Sequence, residues 1–259
     1  MTFNLRYSTP NDGENAWPYR FHRAAEAIRE HAPLLIGTQE GYLAMLNELA
    51  EQLPGYGWIG EGRFGGGENE HSAIFYRTDR LEVVDQGQFW LSETPEVISS
   101  KSWNSYFPRI CTWGRFRLKD SGQEWMAYNT HLDHASGEAR EKGAGVIGRM
   151  VAEHRQKLQL PILLMGDMNS YPADPAIQLF ERLGQEEGEP WLTNAYTLIE
   201  GPVGLTAHSF QGGADGEPID YIFASREFVF QEVKVDREQR DGGYPSDHYP
   251  IVARVGIKE

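Results

Sequence analysis

Residues 161–170, Pro-Ile-Leu-Leu-Met-Gly-Asp-Met-Asn-Ser, constrain this chain more than any other stretch. The run from Pro161 to Met165 is too short for a helix and typical of a strand buried on both faces. It stops at Gly166, and Asp167 and Asn169 follow at a spacing of two. In an extended chain that spacing puts both side chains on one face. A buried strand that delivers a carboxylate and a carboxamide at its carboxyl end resembles an active-site edge. The plainer reading is a Gly-Asp-x-Asn turn, because these residues are ordinary turn formers. The rest of the chain has to decide between them.

Read from its start, the chain opens with a strand over 2–7 and a polar loop, 8–17. A helix runs from Pro18 to about residue 31, with Phe21, Ala24, Ala25, Ile28 and Ala32 at helical spacing. A second buried strand, 34–40, ends in Glu40. Tyr42, Met45, Leu46, Leu49 and Leu53 mark an amphipathic helix stopped by Pro54-Gly55. Strands are expected over 72–77, 81–90 and 110–118, with a long Ser- and Trp-containing loop, 92–108, between the last two. Gly65-Gly66-Gly67 reads as a loop without the Lys-Ser/Thr of a phosphate cradle. A strand at 124–130 runs into His131-Leu132-Asp133-His134, and a helix follows from about Ser136 to Lys157. Asp174-Pro175 signals the N-cap and first turn of a short helix ending near Gly184. Residues 185–218 carry no clear periodicity. Strands close the chain at 219–223, 228–236 and 250–257, the last preceded by the loop Ser246-Asp247-His248. Strands and helices interleave without a repeat, linker or composition break, so one domain, 1–259, with a mixed sheet and outer helices is expected.

Charge narrows the function. With 38 acids against 24 bases the net charge is −14, which disfavours broad contact with a nucleic-acid backbone. A divalent cation at an acidic site would let an anionic substrate approach. Composition thus points to a small or terminal phosphate. No run of eighteen apolar residues suggests a membrane span, and no basic-then-apolar start suggests export, so the default location is cytoplasmic. A leader removed upstream would leave the same sequence. The single cysteine, Cys111, has no partner for an internal disulfide and reads as a core residue.

Polar groups gather at the ends of separate strands: Asn4, Glu40, the His131–His134 cluster, Asp167 with Asn169, and Asp247 with His248. Asp220 adds a sixth inside an apolar strand, where an unpaired carboxylate is costly. Singly, each has a plain structural reading as a satisfied core polar group or a solvated turn. Together and in order, Thr-Phe-Asn-Leu-Arg, Gly-Thr-Gln-Glu at 37–40, Asn-Thr-His-Leu-Asp-His at 129–134, Gly-Asp-Met-Asn at 166–169, Ile-Asp-Tyr-Ile at 219–222 and Ser-Asp-His-Tyr-Pro at 246–250 resemble the endonuclease/exonuclease/phosphatase superfamily. The likeness covers essentially the whole chain. With Asn-Ala-Trp-Pro-Tyr-Arg at 15–20, it is nearest the branch of nocturnin-like and deadenylase-like proteins and bacterial members.

The resemblance implies an α/β fold of DNase I-like type, a four-layer sandwich of two mixed sheets with helices outside. It implies a Mg²⁺- or Mn²⁺-dependent phosphoesterase, a phosphodiesterase or nuclease first and a phosphomonoesterase acting on a nucleotide or inositol-type phosphate as the alternative. The substrate would be a phosphate ester such as a nucleic-acid end or nucleotide, and the protein a monomer. Glu40 would hold the metal with Asn4 and Asp247, since these ions favour oxygen ligands. His248, oriented by Asp220, would serve as base or phosphate contact, and Asp167 would position or activate water, with the two roles exchangeable. Asn169 would donate to the developing oxyanion, His131 would bind phosphate, and Arg109 would reach the phosphate. Asp133 and His134 would support them, and Trp17, Trp103 and Tyr106 are loop aromatics that could stack on a ring.

Two rival readings remain. Asn129-x-His131-x-Asp133-His134 is one substitution from a zinc-hydrolase signature, but it lacks the first His and any later His cluster. A non-catalytic phospholigand-binding module is the other, against which stands the retention of Glu40, Asp167 and His248.

Overall fold

The computed structural model describes residues 1–185 and 188–258. In chain order its elements are β1 (Thr2–Asn4), α1 (Trp17–His31), β2 (Leu35–Gln39), α2 (Leu43–Gln52), β3 (Tyr56–Ile59), β4 (Ile74–Arg77), β5 (Leu81–Trp90), β6 (Ile110–Leu118) and β7 (Glu124–His131). There follow α3 (Gly137–Leu158), β8 (Ile162–Asp167), α4 (Pro175–Arg182), β9 (Leu192–Asn194), β10 (Asp220–Ser225), β11 (Phe228–Val235) and β12 (Ile251–Ile257). The strands form two six-stranded sheets, ordered β11-β12-β1-β2-β4-β3 and β5-β6-β7-β8-β10-β9. Each is mixed, with one central parallel pair, β1 with β2 and β7 with β8, and antiparallel neighbours elsewhere.

Alternation along the strands sorts the side chains into layers. Phe3, Ile36 and Phe75 turn outward and pack under Ala24, Ile28, Leu46 and Leu49 of α1 and α2. Their neighbours Leu35 and Ile74 turn inward and join Trp125, Ala127, Leu163, Met165 and Ile222 of the second sheet. On the far side, Ile147 and Val151 of α3 and Ile177 and Phe180 of α4 cover that sheet, with Phe180 5.6 Å from the ring of Phe223. The expected four-layer sandwich is the observed one. Among the described residues no helix is long and apolar enough to cross a membrane.

A polar clasp ties the inner faces together. Asn129 on β7 donates from Nδ2 to the carbonyls of Thr38 and Ala73, both at 2.9 Å, and accepts from Gln39 Nε2 at 2.7 Å. Gln39 Nε2 also donates to Thr2 Oγ1 at 3.1 Å. Gly37 leaves the space, since a Cβ there would fall 2.6 Å from Asn129 Oδ1.

Local departures from the sequence reading have physical causes. β1 ends at Asn4 rather than residue 7, because Arg6 takes a left-handed φ of 54° and its N–H turns back to Asn4 Oδ1 at 2.9 Å. Trp17, expected in a loop, begins α1 instead. It is buried in the α1/α2 layer and donates from Nε1 to Glu48 at 2.6 Å, so it packs the core and does not face a ligand. Asp174 stands at the N-cap of α4 but makes no capping bond; its carboxylate accepts from Tyr171 N at 2.8 Å. The aperiodic stretch after α4 holds β9 and a 3-10 turn, Ala195–Leu198. The 92–108 segment is a loop, as expected.

Candidate active site

The parallel pairs set the site. β1 and β2 point their carboxyl ends to the same rim as β7 and β8, while β10 and β12 run antiparallel to their neighbours and begin there. His131, Asp167 and Asp220 lie in direct register across β7, β8 and β10. β8 ends through Gly166, at φ 152°, where any Cβ would collide with the carbonyl of Thr130. The close approach of β8 to β7 at this rim therefore depends on glycine.

Three polar groups meet across the sheets. Asn4 Nδ2 donates both to Glu40 Oε1 at 3.0 Å and to Asp167 Oδ2 at 2.9 Å. Glu40 follows β2 with φ 62° and accepts Tyr7 N at 3.0 Å on its other oxygen. His131 Nε2 lies 3.5 Å from Asp167 Oδ2. Asp167 is buried, and this burial, with the nearby Asp220 charge, pushes its pKa up to about 7.

The expected His–Asp pair is present. His248 Nδ1 meets Asp220 Oδ2 at 2.9 Å, and its Nε2 faces Asp167 Oδ2 at 3.9 Å. Thr206 donates from Oγ1 to the same Asp220 oxygen at 2.7 Å and accepts from Asp220 N. Burial opposes charge on His248, but Asp220, then Asp167 and Asp247, hold the imidazole well above its ordinary pKa. His131 goes the other way: burial, then Arg109 and His248, push it well below. One histidine is thus held charged and the other neutral, at 3.9 and 3.5 Å from the same Asp167 oxygen.

The remaining sequence candidates sort into contacts. Arg109 donates to His134 Nδ1 at 2.8 Å and lies 3.5 Å from Asp133, beside His131. Asp133 turns away from the site to accept Ala135 N, Ser136 N, Tyr106 N and Ser105 Oγ. It therefore shares no ligand position with His131, which removes the geometry a zinc signature needs. Asn169 is not on an extended face with Asp167. Its φ is 45°, its N–H donates to Asp167 Oδ1 at 2.9 Å, and its Nδ2 donates to Leu132 O at 3.0 Å. Asp247 is drawn towards Arg6 Nε at 3.7 Å, and stands outside the group around Glu40. Trp103 packs half-buried against the core, while Tyr106 stays 60% exposed with its ring 5.1 Å from that of His134.

Several neighbours had no role assigned from the sequence. Thr206 lies in the aperiodic stretch. Arg6 grips Asp12 with two bonds, at 3.0 and 2.9 Å. Arg20 is wholly buried and ties the carbonyls of Leu5, Arg6 and Pro245 together. It closes the Asn-Ala-Trp-Pro-Tyr-Arg segment, and a buried arginine is rare unless paired.

The donor set suits a hard divalent cation. Ligand atoms of Glu40, His131 and Asp167 lie within 4.8 Å of one another, and so do those of Asp167, Asp220 and His248. Asp167 is pushed up in pKa by burial, and Asp220 Oδ1 is buried without a hydrogen-bond partner among the described residues. Asn4 turns Nδ2 to both Glu40 and Asp167, while its Oδ1 accepts Arg6 N. Carboxylates and an imidazole gathered this closely could hold a divalent metal ion.

Residues 1–248 match the model of the Endonuclease/Exonuclease/phosphatase family. Among solved structures, a mannosyl-6-phosphatase of Bacteroides thetaiotaomicron is 33% identical with a TM-score of 0.90, the match covering 99% of this chain and 98% of that one. A family protein from Bacteroides vulgatus is similar at 33% identity and a TM-score of 0.90, covering 99% and 97%. The human Nocturnin catalytic domain with bound sulfate shares the fold at 19% identity and a TM-score of 0.74, covering 93% and 87%. No curated protein matches the chain.

Proposed function

The chain belongs to the endonuclease/exonuclease/phosphatase family, a phosphoester hydrolase, and from that premise we propose that it is a Mg²⁺- or Mn²⁺-dependent phosphomonoesterase acting on a small phosphorylated sugar. The observation that carries the substrate reading is the end-to-end similarity to the Bacteroides mannosyl-6-phosphatase. The acidic surface, at net charge −14, agrees with a small substrate rather than a long polyanion. Nucleotides and nucleic-acid ends are the second reading, favoured by the fold shared with the 14%-identical Danio rerio TDP2 bound to single-strand DNA product. The whole chain would act as one monomeric catalytic domain.

Glu40 would hold the cation, its carboxylate oriented by the Asn4 amide; Asp247, paired to Arg6, would act on the site through charge. The bound ion supplies neutralisation of the phosphoryl oxygens and acidifies nearby water. The protein groups divide the proton work. Asp167, with a pKa of about 7, would accept the proton of the attacking water. His248, kept protonated by Asp220 on Nδ1, would present Nε2–H to the phosphate opposite that base. In this reading Asp167 is the base and His248 the phosphate contact. Neutral His131 and Arg109 would bind the phosphoryl oxygens, and Asn169 would offer its second amide hydrogen to the developing negative charge.

A panel of sugar phosphates, nucleotides and 3′- or 5′-phosphorylated oligonucleotides, assayed with Mg²⁺ and with Asp167→Ala as blank, tests the reading. Highest kcat/KM on a hexose 6-phosphate is the expected result. Preference for oligonucleotide ends by more than about tenfold, some 1.4 kcal/mol, would replace it with the second reading.

A further inference from the structure

A buried arginine that no motif marks stands beside the site. Arg63 lies in the loop between β3 and β4 and is 4% exposed. Its Nε donates to Asn69 Oδ1 at 2.7 Å and Nη2 to Glu70 Oε1 at 2.8 Å. The guanidinium carbon sits 4.0 Å from the ring centroid of Phe107. The loop is closed by Gly62 N to Gly66 O at 2.7 Å and Arg63 N to Glu70 O at 2.9 Å, and Trp90 Nε1 donates to the Arg63 carbonyl at 2.8 Å. A tie between this loop and Phe107 needs no charge; an apolar side chain would serve at lower desolvation cost.

Its surroundings suggest what the charge is for. Arg63, Arg109 and His131 line the same small cavity, and His131 belongs to the Glu40–His131–Asp167 group. Arg109 is held from behind as Arg63 is, by Asp133 and His134. On both guanidiniums Nη1 has no hydrogen-bond partner among the described residues, and neither Nη1 is sealed from solvent. Two fixed guanidiniums beside one imidazole, each with Nη1 left to donate, suit an anion with several terminal oxygens. A phosphomonoester offers three such oxygens and about −1.5 to −2 of charge at neutral pH. A diester offers two oxygens, and its second ester group has to occupy the place of the third.

Resting on the active-site reading above, we propose that Arg63 is a substrate-binding residue which, with Arg109, holds the terminal oxygens of a phosphomonoester and so selects monoesters over diesters. The test compares wild type, Arg63→Met and Arg63→Lys on p-nitrophenyl phosphate and bis(p-nitrophenyl) phosphate with Mg²⁺, alongside calorimetric binding of inorganic phosphate. Arg63→Met is expected to lower monoester kcat/KM and phosphate affinity about ten- to a hundredfold, with diester kcat/KM within about threefold of wild type. Arg63→Lys keeps the charge without the fork and should fall between; it decides the matter if the Met variant fails to fold. An equal loss on both esters, or unchanged monoester kinetics and phosphate affinity, overturns the role of Arg63. A wild type no better than Asp167→Ala on either ester overturns the active-site reading itself.

Discussion

Replacing Asp220 by Asn tests the electrostatic core of the site with almost no change of shape. Asp220 Oδ2 lies 2.9 Å from His248 Nδ1, and the pair is buried on every side. At an effective dielectric of about 20, two unit charges some 4 Å apart attract by about 4 kcal/mol. Losing that attraction removes the main reason His248 stays protonated against burial, and at about 1.4 kcal/mol per decade it corresponds to a fall in kcat of nearly a thousandfold. The fold should survive, because Thr206 Oγ1 can still donate to the amide oxygen and the orphaned Asp220 Oδ1 ceases to be a buried carboxylate atom. Saturating phosphomonoester turnover with Mg²⁺, measured beside a thermal melt, gives both readouts. A kcat within about threefold of wild type, under 1 kcal/mol, would refute the assignment of charge to His248. A parallel collapse of the melt would show instead that the pair is structural.

Other perturbations follow from the same geometry. Glu40→Gln should raise the Mg²⁺ concentration for half-maximal activity at least about tenfold, read by metal titration after chelation; an unchanged midpoint would remove Glu40 from the cation site. Gly166→Ala should cost several kcal/mol, on the order of 3 or more, because its methyl meets the Thr130 carbonyl; a urea midpoint close to wild type would contradict the close approach. His208 is held down to about 4 by burial and then by the His248 charge, from an ordinary 6.5. Its depressed pKa means the unfolded chain binds the proton first, so stability should fall as pH drops from 6.5 and level off near 4. In His208→Phe, which keeps the stack on Tyr249, that share of the slope should vanish; denaturant melts at pH 7.5 and 4.5 decide it, and identical pH slopes would exclude His208 as the group responsible.

What the sequence disclosed was whatever local patterning carries. The short apolar runs placed β2 and β8, and a polar residue closing each run placed Glu40 and Asp167 at one rim. Asp220 stood out because a carboxylate in an apolar strand needs a partner, and His248 is that partner. Side-chain direction beyond the strand ends was hidden. Asn169 follows Asp167 at a strand spacing, yet its left-handed backbone breaks the alternation that the spacing assumes. Asp133 looks like a ligand beside His131, yet four loop donors claim it. Arg63 was invisible because its partners Asn69 and Glu70 sit in an aperiodic, glycine-rich loop, and its ring neighbour Phe107 is more than forty residues away. Such contacts are set by loop closure, which leaves no period in the sequence.

The Asn129–Gln39 clasp gives the molecule a particular kind of fragility. Glu40 follows a strand of one sheet, and His131, Asp167 and Asp220 belong to the other, so the candidate site exists only while the two halves are seated at one offset. Side-chain amides bonded across the gap set that offset in steps: a slide by one strand position would strand three hydrogen bonds at once. The sandwich therefore behaves less like two greased plates than like a vernier with a single engaged notch. Under mild denaturant, turnover should disappear while each sheet still holds its circular-dichroism signal, making catalysis the most sensitive gauge of alignment between the halves.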